Sequence, residues 1–465
     1  MELDEKRIAA IVAEAVRNMR ADAPRSRSDQ GSGGVFATVD AAVNAAAEAQ
    51  CKLASMSRAQ REVLIKAIRD AGIAQAEFLA QKAVEATGFG RVEDKILKNK
   101  NAARLSPGTE DLVTGVLADD SSMLIEEYAP FGVIVSITPA THPASMIINH
   151  AIIFLAGGNT AFIAPHPRAQ AGTLAAIKVI NQAVAGAGGP DNILTAVAEG
   201  TMETVDAAMK HPLVKLVTAA GGPGVVKAAL FSGKKAIVAG PGNPPVVVDE
   251  TADPQAAAKH IADGSWFDNN LLCIAEKSVF VVPGAADHLL AAFSRNGGQI
   301  LDQAAAHAVT GLLVKDGHIN GDFVGKDAAV ILKAAGIAPS AGVRGIVLDV
   351  EESHPLVGLE QLMPVLPVVR IPDFNAAVEA AVRTEHGFGH TAIIHSRDAE
   401  RVHYYGRKLN TTLLIANAPS GASLGVGGAG VFGHTIASPA TGEGVCTPRS
   451  FCRRRINLNA AGRFI

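Results

Sequence analysis

Apolar positions recur at a helical period through the first twenty residues, MELDEKRIAAIVAEAVRNMR, at Ile8, Ile11, Val12, Val16 and Met19. Acids open the stretch and Arg17 and Arg20 close it, the charge order that a helix dipole favours. This predicts a short amphipathic helix over 1–20. Residues 21–34, ADAPRSRSDQGSGG, offer almost nothing to bury and predict a flexible linker. From Val35 the pattern changes. Helical periodicity over Asp40–Ala54 and Arg58–Ala86 leads into short apolar runs that alternate with amphipathic segments. GVIVSIT (132–138), TAFIA (160–164), NILTAVA (192–198), LVKLVTA (213–219) and AIVA (236–239) read as buried strands, with helices over 143–155, 170–186, 201–210 and 224–232 between them. That order predicts a parallel, doubly wound sheet. PVVVD, SVFVVP, AVTGLLV, PVVRI, TAIIHS and TTLLIAN continue as strands among helical segments from about 245 to 416, which predicts a second α/β lobe and a cleft between the two.

Composition narrows the partners. A chain of 465 residues, 48% hydrophobic and 19% charged, divides into two or more domains. Its net charge of -3 argues against nucleic acid or an anionic membrane as partner. The most apolar stretch, Ala144–Ala156, is interrupted by Asn149 and His150 and stopped by Gly157, short of the ~20 residues a bilayer span requires. Glu2, Asp4 and Glu5 are the wrong charge for the start of a secretory signal, so a cytoplasmic chain is expected. The four cysteines, Cys51, Cys273, Cys446 and Cys452, form no C-x-x-C and imply no disulfide framework; Cys446 and Cys452 read as structural or incidental.

Several strings carry candidate chemistry. Gly425-x-Gly427-x-x-Gly430 matches a dinucleotide fingerprint but opens no helical pattern and has no acid about 20 residues later, so it reads as a loop. Gly421-x-Ser423-x-Gly425 follows a strand like a nucleophile elbow, yet glycines replace the required helix. His386 and His390 have a metal-like spacing across two glycines with no third ligand nearby, and no metal site is assigned. Cys273 in WFDNNLLCIAEK is, taken alone, a small buried hydrophobe.

Its surroundings change that reading. FDNNLLCIAEK resembles the catalytic-cysteine segment of the aldehyde dehydrogenase superfamily, and its form is similar to the CoA-acylating branch of bacterial microcompartments. VEDK (92–95), SITPATHP (136–143), APHP (164–167), GNPPVVVDETAD (242–253), MPVLPVVRI (363–371) and TGEG (441–444) extend the resemblance over nearly the whole chain. Within that branch it is most similar to the propionaldehyde and acetaldehyde dehydrogenases of propanediol and ethanolamine utilisation. The resemblance implies the aldehyde dehydrogenase fold: a Rossmann-like cofactor domain over 35–240 with a β oligomerisation arm at about 120–130, an α/β catalytic domain over 241–435 and an oligomerisation tail over 436–465. It also implies that residues 1–20 are an encapsulation helix for a shell protein, and that the chain is a homodimer or homotetramer in the lumen of a microcompartment.

The implied activity is oxidation of a short-chain aldehyde, propionaldehyde first and acetaldehyde next, with NAD and coenzyme A through a thioester on Cys273. Thr141 and His142 stand where the oxyanion's side-chain donor belongs. The resemblance places Thr138, Pro139, Ala140, His166, Pro167, Ala220, Gly221, Gly222, Ala239, Gly240 and Glu360 around the NAD and CoA site. Hydrolytic members activate water with a glutamate in an ELGGK segment; VAGPGNPP corresponds here, with Ala239 at the glutamate's place. Water, of pKa ~15.7, needs that base, whereas a thiol near ~8.5 does not. Two other readings stand beside this one: a hydrolytic NAD(P)-dependent aldehyde dehydrogenase, and a catalytically silent shell-associated protein.

Overall fold

The structure, a computed structural model, describes residues 31–460. The helix expected at 1–20 and most of the linker lie outside the described residues. Two parallel sheets organise the rest. The first takes β1 (Val35–Phe36), β2 (Val133–Thr138), β3 (Thr160–Pro165), β4 (Leu194–Val197), β5 (Val214–Ala220) and β6 (Lys235–Ala239) in the order β1-β4-β3-β2-β5-β6. The second takes β7 (Pro245–Val248), β8 (Ser278–Val281), β9 (Gly298–Leu301), β10 (Gly345–Val350), β11 (Val365–Arg370), β12 (Thr391–His395) and β13 (Leu413–Ala416) in the order β9-β10-β11-β8-β7-β12-β13.

Burial explains the elements. Every residue of β2 and of the helix Ser145–Ala156 behind it is buried, so an apolar run with no polar face becomes the centre of the core. The two polar interruptions in that helix are both satisfied. His150 lies 2.9 Å from the Ser136 hydroxyl and 2.9 Å from that of Thr435. Asn149 donates to Ser106 at 2.8 Å and accepts from the His434 backbone at 3.2 Å. The polar groups thus pin the 430s segment to the first sheet, where it joins the site.

Two sequence expectations are corrected. AVTGLLV is not a strand: residues Gln303–Leu313 form a helix that Asp302 caps through Ala305 N, and Ala306, Val309 and Leu313 are buried at helical spacing. Its β-branched content favours strand locally, but the cap and buried face decide. Arg58–Ala86 divides into helices Arg58–Ala74 and Ala76–Thr87, because Gln75 leaves helical geometry at φ -98°, ψ 10°. Strands β1, β9 and β10 went unread, being short or lacking strict alternation.

A separate antiparallel sheet joins Gly115–Ala118, Met123–Pro130 and Cys452–Asn459. It holds the segment expected as an arm and the tail together, with Val116, Leu117, Ile456 and Leu458 all more than half exposed. Among the described residues no helix is long and apolar enough to cross a membrane.

Candidate active site

Strand order places the cleft. β3 and β4 run to one side of β2 and β5 and β6 to the other, so the carboxyl ends of β2 and β5 flank a topological switch point, where open α/β sheets bind ligands. A cleft of about 780 Å³ lies there. All fourteen residues singled out from the sequence line it. Thr138 ends β2 and Pro139, Ala140, Thr141 and His142 form the turn after it, and His166 and Pro167 follow β3. Ala220 ends β5 with Gly221 and Gly222 after it, Ala239 ends β6 with Gly240 after it, and Cys273 and Glu360 approach from the second lobe.

The first-sheet wall suits a dinucleotide. Gly222 starts the helix Pro223–Leu230 without a side-chain cap, and a Cβ on Gly222 or Gly240 would meet nothing within 4 Å. Uncapped backbone N–H groups at a helix start, open to a cleft, bind phosphate. Thr138 Oγ1 is buried without a partner at the same edge. The exposed His166 accepts at Nδ1 from Arg168 N over 3.1 Å, so its proton sits on Nε2; burial and the nearby Arg168 hold its pKa below the ordinary value.

The cysteine loop is set by backbone strain. Asp268, Asn269 and Asn270 take φ of 48°, 55° and 65° in succession, the left-handed region that Asp and Asn tolerate better than other side-chain-bearing residues. The DNN run therefore makes a tight reversal. Asp268 is fully buried and receives Lys95 Nζ at 2.9 Å, Lys98 Nζ at 2.6 Å and Arg91 N at 3.1 Å. A Cβ on Gly90, at φ 75°, would come within 2.0 Å of its carboxylate, so only glycine permits that approach. Asn270 donates to the carbonyls of Ser265 and Glu276 at 2.8 and 2.9 Å, and the buried Lys277 donates to Asn270 O at 2.8 Å and Leu272 O at 3.2 Å. Ser420 closes the loop from outside by donating its N–H and hydroxyl to Glu276, each over 2.9 Å. That is the use of the serine- and glycine-rich segment; Ser423 donates to Ser420 O at 2.7 Å and has no nucleophile geometry.

Cys273 is partly exposed to the cleft. Burial pushes its thiol up to about 12, the Glu360 carboxylate adds to this, and Lys277 and Lys98 oppose it. Burial also draws Lys277 down to about 8, against Glu360, and raises Glu276 to about 7. The Thr141 hydroxyl lies 2.6 Å from His142 Nδ1, and the His142 ring meets His434 edge-on at 4.8 Å. Burial holds both imidazoles neutral, with Lys98 reinforcing it in each. The Ala239 methyl ends β6 with no carboxylate at that position.

Sequence reasoning missed Lys98, the partner role of Asp268, and His434. Lys98 lay one helical turn beyond the VEDK motif; His434 had no motif at all. His390 was weighed with His386 as a metal pair, but different partners hold them: His386 bonds Gly358 O at 2.8 Å, while the buried His390 bonds Thr391 Oγ1 at 2.8 Å and packs against Gly242. Among the described residues no group of His, Cys, Asp and Glu could hold a metal ion.

Comparison with known proteins shows the family. Residues 31–433 match the aldehyde dehydrogenase family. The chain is similar to a propanal dehydrogenase (CoA-propanoylating) of Salmonella typhimurium, 41% identical over 423 residues and 91% of each chain. Among solved structures it resembles propionaldehyde dehydrogenase of Rhodopseudomonas palustris with bound CoA and an acylated cysteine, at 42% identity and TM-score 0.90 over 92% of this chain and 98% of that one. It equally resembles the propionaldehyde dehydrogenase of the Clostridium phytofermentans fucose utilisation bacterial microcompartment, at 44% identity and TM-score 0.90 over 91% of this chain and 98% of that one.

Proposed function

The chain belongs to the aldehyde dehydrogenase family, and from that premise we propose a two-stage reaction in which a short-chain aldehyde becomes acyl-CoA. It is a CoA-acylating aldehyde dehydrogenase. Propionaldehyde is the proposed substrate and acetaldehyde the second choice, one methylene being worth only about 1 to 3 kcal/mol in a pocket. Cys273 Sγ bonds the aldehyde carbon, its proton passing to solvent. Thr141, oriented by His142, and the Cys273 backbone N–H hold the resulting oxyanion. NAD, when bound against Thr138, Gly222 and Gly240, supplies the hydride acceptor. Cys273 then carries the acyl group as a thioester until the thiol of CoA displaces it. Glu360, whose carboxyl burial raises and the charge of Lys277 and the N–H of Gly242 restrain, is assigned to the cofactor side of the cleft.

The observation that carries this reading is the Ala239 methyl facing the cleft that Cys273 faces. Purified enzyme given propionaldehyde and NAD is expected to yield acyl-CoA with CoA present and little carboxylate without it. Ala239→Glu restores a base at the strand end and is expected to raise carboxylate release about tenfold or more. Free acid at full rate from the wild type without CoA, or no increase in the variant, overturns the acyl-transfer reading.

For partners, we propose that the amphipathic pattern of residues 1–20 docks on a shell protein in the lumen of a bacterial microcompartment. Its support is the apolar stripe ahead of a polar linker, and the microcompartment origin of a similar enzyme. Deleting residues 1–20 is expected to leave kcat and KM in solution unchanged and to abolish co-purification with shells; unchanged recruitment refutes the docking role. A second copy of this chain is the proposed cover for Val116, Leu117, Ile456 and Leu458, giving a homodimer or homotetramer.

A further inference from the structure

Two ammonium groups meet one buried carboxylate. Lys95 and Lys98 both donate to the same oxygen, Asp268 Oδ2, at 2.9 and 2.6 Å, and all three side chains are at most 5% exposed. One lysine suffices to neutralise one carboxylate. The second is in excess of the pairing and carries its own desolvation cost, so a role beyond holding Asp268 is called for. Geometry separates the two. Lys98 reaches further, donating to the carbonyl of Thr141 at 3.2 Å, whereas among the described residues the Lys95 ammonium hydrogen-bonds Asp268 alone.

We propose that Lys98 is a positioning residue for acyl transfer, tying the Thr141–His142 turn of the first sheet to the DNN loop that presents Cys273. This rests on the acyl-transfer reading above and adds a residue that the reading does not require. The tie is buried behind the cleft wall, joining a residue of the first-sheet turn to the loop that leads to Cys273. Asp268 stands five residues before the sulfur, in a backbone reversal that fixes where the loop runs, and Thr141 carries the hydroxyl held 2.6 Å from His142 Nδ1. Without Lys98 the hydrogen-bonded link from the Thr141 carbonyl to Asp268 is lost, and with it an anchor shared by the oxyanion donor and the nucleophile loop. A displacement of about 1 Å between reacting groups costs on the order of a hundredfold in rate.

The two lysines form their own control. Lys98→Met leaves Asp268 paired one-to-one with Lys95, and Lys95→Met leaves it paired with Lys98, so neither orphans the carboxylate. A purely structural role therefore predicts similar losses in both. Positioning predicts a split, read in the single-turnover burst of NADH from propionaldehyde and NAD without CoA: roughly 30- to 100-fold slower in Lys98→Met and within about threefold of wild type in Lys95→Met. The NAD dissociation constant, by calorimetry, is expected to stay within about twofold in both, since the two lysines bond Asp268 and the Thr141 carbonyl and neither bonds Thr138, Gly222 or Gly240. Lys98→Arg, which keeps charge and donors, is expected to retain at least about a tenth of the wild-type burst, and carries the comparison if Lys98→Met does not fold. Equal bursts in Lys98→Met and Lys95→Met, or Lys98→Arg no better than Lys98→Met, overturn the proposal. The acyl-transfer reading is judged separately, by whether wild-type product depends on CoA.

Discussion

Replacing Cys273 by serine is expected to abolish acyl-CoA formation, lowering the rate by at least about a thousandfold, while NAD binding persists. The reason is that, in the proposed mechanism, the sulfur performs both stages. It must add to the aldehyde carbon, and it must then leave as a thiolate when CoA attacks. Serine keeps the volume and loses both capacities: its hydroxyl ionises far less readily, and no adjacent base compensates. The site already works against ionisation, since burial and Glu360 push even the thiol up to about 12, with Lys277 and Lys98 as the opposing cations. A hydroxyl in that setting stays protonated. The first-sheet cradle at Thr138, Gly222 and Gly240 is untouched by the change, so calorimetric NAD affinity should stay within about twofold. Acyl-CoA appearing at more than a hundredth of the wild-type rate in Cys273→Ser would remove the cysteine from the mechanism.

Asp268→Ala should cost more stability than any other single change in the cysteine loop. It leaves the ammonium groups of Lys95 and Lys98 buried beside each other without a counter-charge, and it frees Arg91 N as well. Removing one partner of a buried ionic cluster costs about 3 to 5 kcal/mol, which for a chain of 465 residues, at about 1 °C per kcal/mol, is roughly 3 to 5 °C in melting temperature. The pH dependence has a definite sign. Burial raises the Asp268 carboxyl, but the charges and hydrogen bonds of Lys95 and Lys98 outweigh it and hold the pKa below the ordinary value. A depressed carboxylate contributes fully above its unfolded pKa, about 3.9, and loses that contribution as pH falls through the lower folded value. The difference in melting temperature between wild type and variant should therefore be constant between pH 5 and 7 and shrink only below about pH 4. A variant that melts with the wild type at pH 7 would show that the cluster is not holding the loop.

Much of the architecture was legible because burial leaves a periodic trace. Gln170–Gly186 forms a helix as read from its spacing, and β2 and β3 fall on the apolar runs GVIVSIT and TAFIA. AVTGLLV shows the limit: a run of β-branched and apolar residues is ambiguous by itself, and Asp302, one residue before the helix, settles it. The site was legible only through the order of its motifs. No periodicity links Thr138 to Cys273; the resemblance named both, and the strand order carries them to one cleft.

The sequence by itself determined the chemistry on offer: a thiol in the FDNNLLCIAEK loop, a methyl at Ala239 where a base is needed for hydrolysis, glycines at 221, 222 and 240, and the βα alternation that makes a phosphate-binding edge. Those are properties of residue types and near neighbours. Tertiary structure alone decided that Lys98 meets an aspartate 170 positions away, that Asp268, Asn269 and Asn270 turn left-handed together, and that His142 faces His434. The physical reason is that a hydrophobic pattern records whether a residue is buried, while the partner of a buried charge depends on how the sheets bring distant segments together.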